Sequence, residues 1–180
     1  MTYKLLSPEE VSTNVPLPKC SADLDRVKLK EDLIETMKEN FGLGLSANQV
    51  GVRERVFIMY SDFNNKEIIV CFNPQIISYS QDETSEDEGC LTWPGLWLKV
   101  KRPDGIECQY EDEYGELQQK AMFGLEARIF QHEYDHMEGT DFTSRVSKFK
   151  LDRALEKMEK AKKRALEEKF AVKDAQNLIV

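Results

Sequence analysis

Histidine occurs only twice in these 180 residues, and both copies fall in one pentapeptide, His132-Glu133-Tyr134-Asp135-His136. On an α-helix, positions i and i+4 lie one above the other on the same face, so both imidazoles reach one metal ion if this segment is helical. Glu133 then stands beside the first histidine, placed as a general base on water held by that ion. A solvated or core-filling histidine pair would not need this spacing. The bland alternative is chance adjacency on a surface helix.

Composition narrows the setting. The length suits a single domain, residues 1–180, with a sizeable core. Hydrophobic content of 41% and charged content of 32% describe a globular chain rather than a disordered one. No apolar run approaches the eighteen or so residues of a membrane helix, and the acidic start Met1–Glu10 is unlike a signal peptide. A cytoplasmic location is the expectation.

The four cysteines, Cys20, Cys71, Cys90 and Cys108, form no CxxC pair, so free thiols are expected. Cys20, Cys71 and Cys108 read as small buried hydrophobes, and Cys90 as a metal-ligand candidate.

The net charge of −8 is unevenly spread. Residues 145–173 carry eleven Lys/Arg against five Asp/Glu, a balance of +6, while the remainder carries fourteen against twenty-eight, a balance of −14. An acidic body argues against general nucleic-acid binding, and no DNA partner is expected. The basic end is suited either to a polyanion or to a solvated helix face with i,i+4 pairs such as Glu156–Lys160.

Hydrophobic periodicity predicts a first helix from about Asp23 to Asn40. Val27, Ile34 and Phe41 recur at sevens, Leu24, Leu33 and Met37 fill the same face, and Gly42 is the expected stop. Residues 42–49 read as a small-residue loop. Strand-like runs follow at 56–60, at 68–72 (ending at Asn73-Pro74), at 76–79 and at 97–101, with an acidic stretch over 82–88. Residues 106–111 and 116–122 flank a turn and predict a hairpin. A helix from about Gly124 to Glu138 carries the histidines, with Gly139 as its stop. A last, basic helix, about 149–170, has a thin stripe of Leu151, Leu155, Met158, Ala165 and Phe170. Central strands with helices at both ends predict an α+β fold: antiparallel or mixed sheets packed around a central metal-binding helix, with one helix N-terminal and one C-terminal.

A catalytic metal commonly has three protein ligands, so one is missing. Cys90, in Glu88-Gly89-Cys90-Leu91-Thr92, is one candidate. Glu156, twenty residues beyond His136, has a spacing found in thermolysin-like proteases. That helix is rich in glutamate, however, and Glu156 is turned some 200° from Met158, away from the stripe. The neighbours expected of the protease pattern are also absent.

Cys90 gains from two further segments. Gly42-Leu43-Gly44-Leu45-Ser46-Ala47-Asn48-Gln49 resembles the first motif of peptide deformylases, GΦGxAAxQ with Φ apolar. Glu88–Thr92 resembles their second, EGCΦS, and Gln131–His136 matches their third, QHExDH. All three occur in the family's order and approximate spacing, and the resemblance spans about residues 23–142.

The resemblance implies a metal-dependent amidase that removes the formyl group from the N-terminal formyl-methionine of nascent polypeptides and releases formate. Cys90, His132 and His136 would bind one divalent ion, Fe2+ first, with Zn2+ or Ni2+ able to substitute. Glu133 would accept the water proton and return it to the leaving amine. Gln49 through its side-chain amide and Leu91 through its backbone N–H would stabilise the developing oxyanion, alongside the metal. Gly44 would let the backbone approach the substrate. Glu88 would support the centre from behind, bridging to a backbone group near the metal, and Asp135 would pair with an arginine such as Arg102 or bond to the backbone.

The methionine pocket should be apolar, with Leu43, Leu125, Ile129 and Phe130 as candidates. Three departures stand out: Ser46 where the family usually has alanine, Thr92 where it has serine, and the aromatic stretch Trp93–Trp97 where many bacterial members carry a basic residue. Trp97 is therefore expected to bear on preference beyond the first substrate residue. A monomer is expected, with ribosome contact through the basic helix and no membrane association. The competing readings are a thermolysin-like protease and a non-catalytic protein that keeps the fold.

Overall fold

The computed structural model describes residues 2–12, 14–62 and 64–177, with side chains through 168. Among the described residues there are seven strands, four α-helices and two short 3-10 turns. A five-stranded sheet has the order β1-β2-β3-β6-β7, built from β1 (Gly44–Ser46), β2 (Val56–Asp62), β3 (Glu67–Tyr79), β6 (Gly105–Glu111) and β7 (Leu117–Phe123). A two-stranded sheet pairs β4 (Glu83–Cys90) with β5 (Trp93–Pro103). Every pairing is antiparallel, which makes the fold α+β as expected and removes the mixed-sheet option.

Strand alternation places the core on both faces of the larger sheet. Along β2, Phe57 and Met59 pack with Ala127, Ile129, Phe130 and Met137 of helix α3 (Gly124–Met137). Val56 and Ile58 face the other way, onto Leu29, Leu33 and Met37 of helix α2 (Arg26–Glu39). The histidine helix therefore covers one face of the sheet and the first long helix covers the other.

Helix α2 starts where Asp25 accepts a hydrogen bond from the Lys28 N–H at 3.0 Å. Its end differs from expectation by one residue. Phe41, not Gly42, takes the left-handed position, with φ +55°. The Phe41 N–H donates to the Lys38 carbonyl and the Gly42 N–H to the Met37 carbonyl, a Schellman closure.

The supposed loop at 42–49 is regular structure from Gly44 on. It forms β1 and then a 3-10 turn, Ala47–Val50. From Leu45 to Val50 the segment is buried, which favours small residues such as Ser46 and Ala47.

Strand β3 also runs on where a break at Asn73-Pro74 was expected. Asn73 adopts φ +50° and the register with β6 shifts between Phe72 and Gln75, so the proline sits at a bulge where no ladder bond is needed. The acidic stretch 82–88 is strand β4. Its charges face basic residues across the pair: Asp87 is opposite Lys99, and Glu83 bonds to Lys101.

On β5, Leu96, Leu98, Val100 and Arg102 point inward and Trp97 outward. Leu96, Leu98 and Val100 meet Phe142 and, on helix α4 (Lys148–Asn177), Leu151, Ala154, Leu155 and Met158. The predicted stripe is covered only to Met158. Ala165 is exposed, and the Phe170 side chain lies outside the described residues.

The short helix α1 (Pro8–Val11) follows a segment bound to the 3-10 turn by the Leu6 N–H and the Gln49 carbonyl, 2.9 Å apart.

Candidate metal centre

Helix α3 presents His132 and His136 one turn apart, with ring centroids separated by 5.4 Å. Cys90 ends β4 opposite Trp93, just past a register shift between Gly89 and Cys90. One donor atom from each of Cys90, His132 and His136 falls within 4.8 Å of the others. Cys90 Sγ lies 3.4 Å from His136 Nε2. His132 turns Nδ1 to Glu88 Oε2 at 3.0 Å, which leaves its other nitrogen for this group. A thiolate and two imidazoles are a fitting donor set for zinc or ferrous iron.

Burial pushes the Cys20 thiol up to about 11 and Cys108 up to about 12, and raises Cys71 as well. Burial acts on Cys90 too, but the positive imidazoles of His136 and His132 outweigh it and bring this thiol down to about 5. Among the four cysteines, only Cys90 is poised as a thiolate.

Glu133 is buried, and burial raises its pKa above the usual carboxylate value. Its two oxygens are held differently. Ser46 Oγ donates to Oε2 at 2.5 Å, while a Cβ at Gly44 would come within 2.5 Å of Oε1. Glycine at position 44 thus makes room for the carboxylate. The backbone N–H of Ser46 also donates to Gln49 Oε1 at 2.9 Å, which turns Gln49 Nε2 toward Thr92 Oγ1 (2.9 Å) and Cys90 Sγ (3.4 Å). Strand β1 therefore fixes both the carboxylate and the amide.

Behind His132 lies a buried ionic cluster. Arg102 donates to Glu88 through Nε (2.7 Å) and a terminal nitrogen (2.9 Å), and to Asp135 Oδ2 at 2.9 Å. Arg128 donates to Glu88 Oε1 at 2.7 Å, and Arg145 binds Asp135 from the other side. Burial works against the Glu88 charge, but His132 and Arg102 hold its carboxyl far below the usual range.

Glu88 thus supports the centre through side chains, not through the backbone group anticipated. The Asp135–Arg102 pairing is as expected. Arg128 was missed, although its place four residues before His132 on one helix face was a usable signal.

A cavity of about 1010 Å³ opens onto Cys90, His132 and Glu133. Gly44, Gln49, Leu91, Leu43, Leu125, Ile129 and Trp97 all line it. Phe130 does not. It is fully buried against Phe57 and Tyr134 on the sheet side of α3, so its assignment to the substrate pocket is corrected. Its position beside Ile129 turns it about 100° away. The cavity also reaches Leu5 and Leu6 near the N-terminus and Met158 and Lys162 on α4, none of which the motifs pointed to.

Residues 9–152 match the family model described as polypeptide deformylase. This chain belongs to the peptide deformylase family. A peptide deformylase of Rhizobium meliloti is 34% identical over 91% of this chain and 96% of its own length. Among solved structures, a peptide deformylase from Legionella pneumophila superposes with a TM-score of 0.80 at 32% identity, covering 92% of this chain and 98% of that one. One from Synechococcus elongatus, in complex with actinonin, gives 0.79 at 32% identity over 86% of each chain.

The protein is a metal-binding hydrolase of protein biosynthesis that removes the formyl group from N-terminal formyl-methionine. Glu156, the ligand a thermolysin-like protease would need, is exposed on α4 and paired with Lys160 at 4.0 Å. Among the described residues, no helix is long and apolar enough to cross a membrane.

Proposed function

We propose that Cys90, His132 and His136 hold one ferrous ion, with zinc or nickel able to substitute, and that Glu133 is the general base. When bound, the ion supplies Lewis-acid polarisation of the formyl carbonyl and a more acidic water.

Glu133 takes the proton of the attacking water on Oε1, the oxygen that Ser46 does not hold, and delivers it to the leaving amine. Gln49 Nε2 and the Leu91 N–H are the donors to the developing oxyanion, and losing either costs on the order of a hundredfold in rate. Gly44 brings the backbone of β1 up to the substrate, while Leu43, Leu125 and Ile129 receive the methionine side chain. Glu88 orients His132 from behind. Residues 1–180 form one domain that works as a monomer in the cytoplasm. The +6 balance of residues 145–173 suits contact with ribosomal RNA through α4.

The observation that carries this reading is the Cys90–His132–His136 donor set in the same cavity as a buried carboxylate and the Gln49 amide. The test is formate release from formyl-Met-Ala-Ser by protein prepared anaerobically with iron, zinc or nickel. Release with iron, abolished by Cys90→Ser, is the expected result. No release with any of the three metals overturns the reading. For the helix, salt-sensitive co-sedimentation with ribosomes that survives deletion of α4 refutes the RNA contact.

A further inference from the structure

The cavity opens through a rim of exposed apolar side chains. Phe41 is 93% exposed, and Leu43, Trp97 and Leu125 stand at 46%, 65% and 51%. All four line the same cavity as Cys90 and Glu133.

Phe41 is held there against its backbone preference. Its φ of +55° is fixed by the two closing hydrogen bonds of α2, Phe41 N–H to the Lys38 carbonyl at 3.2 Å and Gly42 N–H to the Met37 carbonyl at 3.0 Å. Glycine or asparagine is the ordinary occupant of such a position, and a bulky residue there is an outlier. The glycine that follows cannot exchange places with it. A Cβ at position 42 would meet Leu91 Cδ1 at 2.9 Å and Met37 Cγ at 3.2 Å. An exposed ring gains almost no burial inside the protein to offset the strain, and residues strained in this way gather at ligand-binding positions.

A second ring on the rim is fixed in orientation. Trp97 lies across Gly89, where a Cβ would meet ring atoms at 3.2–3.3 Å, so the indole is supported by β4 while its other side is open. Other charged groups of the cavity lining, Lys4 and Lys162 against Glu10 and Asp87, offer both signs and no net preference for a charged side chain, and Asp87 stands opposite Lys99 on the strand pair.

We propose that Phe41 is a specificity-determining residue, whose ring, with Trp97, receives an apolar side chain at the second or third position of the formyl-methionyl substrate. This rests on the deformylase reading of the site. With the formyl group at the metal ligands, the following residues leave through the rim. There an apolar side chain removes ring surface from water, whereas a charged one loses hydration without a partner.

The test compares formyl-Met-X-Ser and formyl-Met-Ala-X, with X as Leu, Phe, Asp or Lys. Wild type should favour Leu and Phe by about tenfold in kcat/KM at one of these positions, expressed in KM, which is a contact of ordinary hydrophobic size. Phe41→Asn should reduce that ratio to within about twofold while the melting temperature stays equal or rises, since asparagine tolerates the left-handed conformation. Phe41→Leu should keep most of the preference.

Three results overturn the inference alone: no apolar preference in wild type, a preference that survives in Phe41→Asn, or a melting temperature of that variant lower by more than about 4 °C, which would show that the ring packs within the protein. Absence of formate release from every peptide instead removes the deformylase reading, and this inference with it.

Discussion

Glu88→Gln removes a charge on which the metal centre depends without changing side-chain volume. Glu88 accepts from Arg102 at 2.7 and 2.9 Å, from Arg128 at 2.7 Å and from His132 Nδ1 at 3.0 Å, all in buried surroundings. The variant leaves two guanidinium groups facing a neutral amide. Asp135 still pairs with Arg102, but Arg128 keeps only carbonyl and hydroxyl acceptors, at Val100 and Thr84.

Breaking a buried ion pair by removing one partner costs about 3–5 kcal/mol. The remaining neutral hydrogen bonds place the expected loss at the low end, about 3 kcal/mol. For a chain of this size that lowers the melting temperature by about 6–12 °C. The lost carboxylate partner of His132 should also weaken metal binding by about 10- to 100-fold. Calorimetry of the metal-free protein and competition of the zinc-loaded protein against a chromophoric chelator read the two effects separately. A melting temperature within 2 °C of wild type together with a metal affinity within twofold would refute the reasoning.

Further outcomes follow from the same geometry. In metal-free protein at about pH 7, iodoacetamide should label Cys90 well before Cys20, Cys71 or Cys108, because Cys90 is ionised above about 5 and the others are not; zinc should protect it, and equal labelling measured by mass spectrometry would contradict the assigned thiolate. Trp97→Ala should change relative rates at the second and third substrate residues, and unchanged ratios on a peptide panel would refute this. Gly139→Ala should lower stability by more than about 2 kcal/mol in a denaturant titration, since Gly139 has φ +74° and a Cβ would press into the backbone of Val15.

Much of the centre was legible because its ligands are chemically rare: two histidines at helical spacing leave little else for them to do. The extents of α3 and of the β6–β7 hairpin were legible for a similar reason, since periodicity and turn residues agreed there. Strand β4 was hidden because its side chains are mostly acidic and its partners, Lys99 and Lys101, lie beyond a turn. The bulge at Asn73-Pro74 looked like a strand end because local propensity says nothing of a neighbouring strand that tolerates a missing donor. Phe41 carried no signal at all: a phenylalanine at the seventh-residue spacing reads as core, yet the helix closes one residue earlier and leaves the ring outside. The pairing of Ser46 with Glu133 spans 87 residues and exists only once β1 lies beside α3.

X-ray absorption at the metal edge of zinc-loaded protein tests the coordination most directly. One sulfur at about 2.3 Å and two imidazole nitrogens at about 2.0–2.1 Å are the expected shell, with the sulfur lost in Cys90→Ser. A shell without sulfur in the wild type, or one unchanged by that substitution, would contradict it.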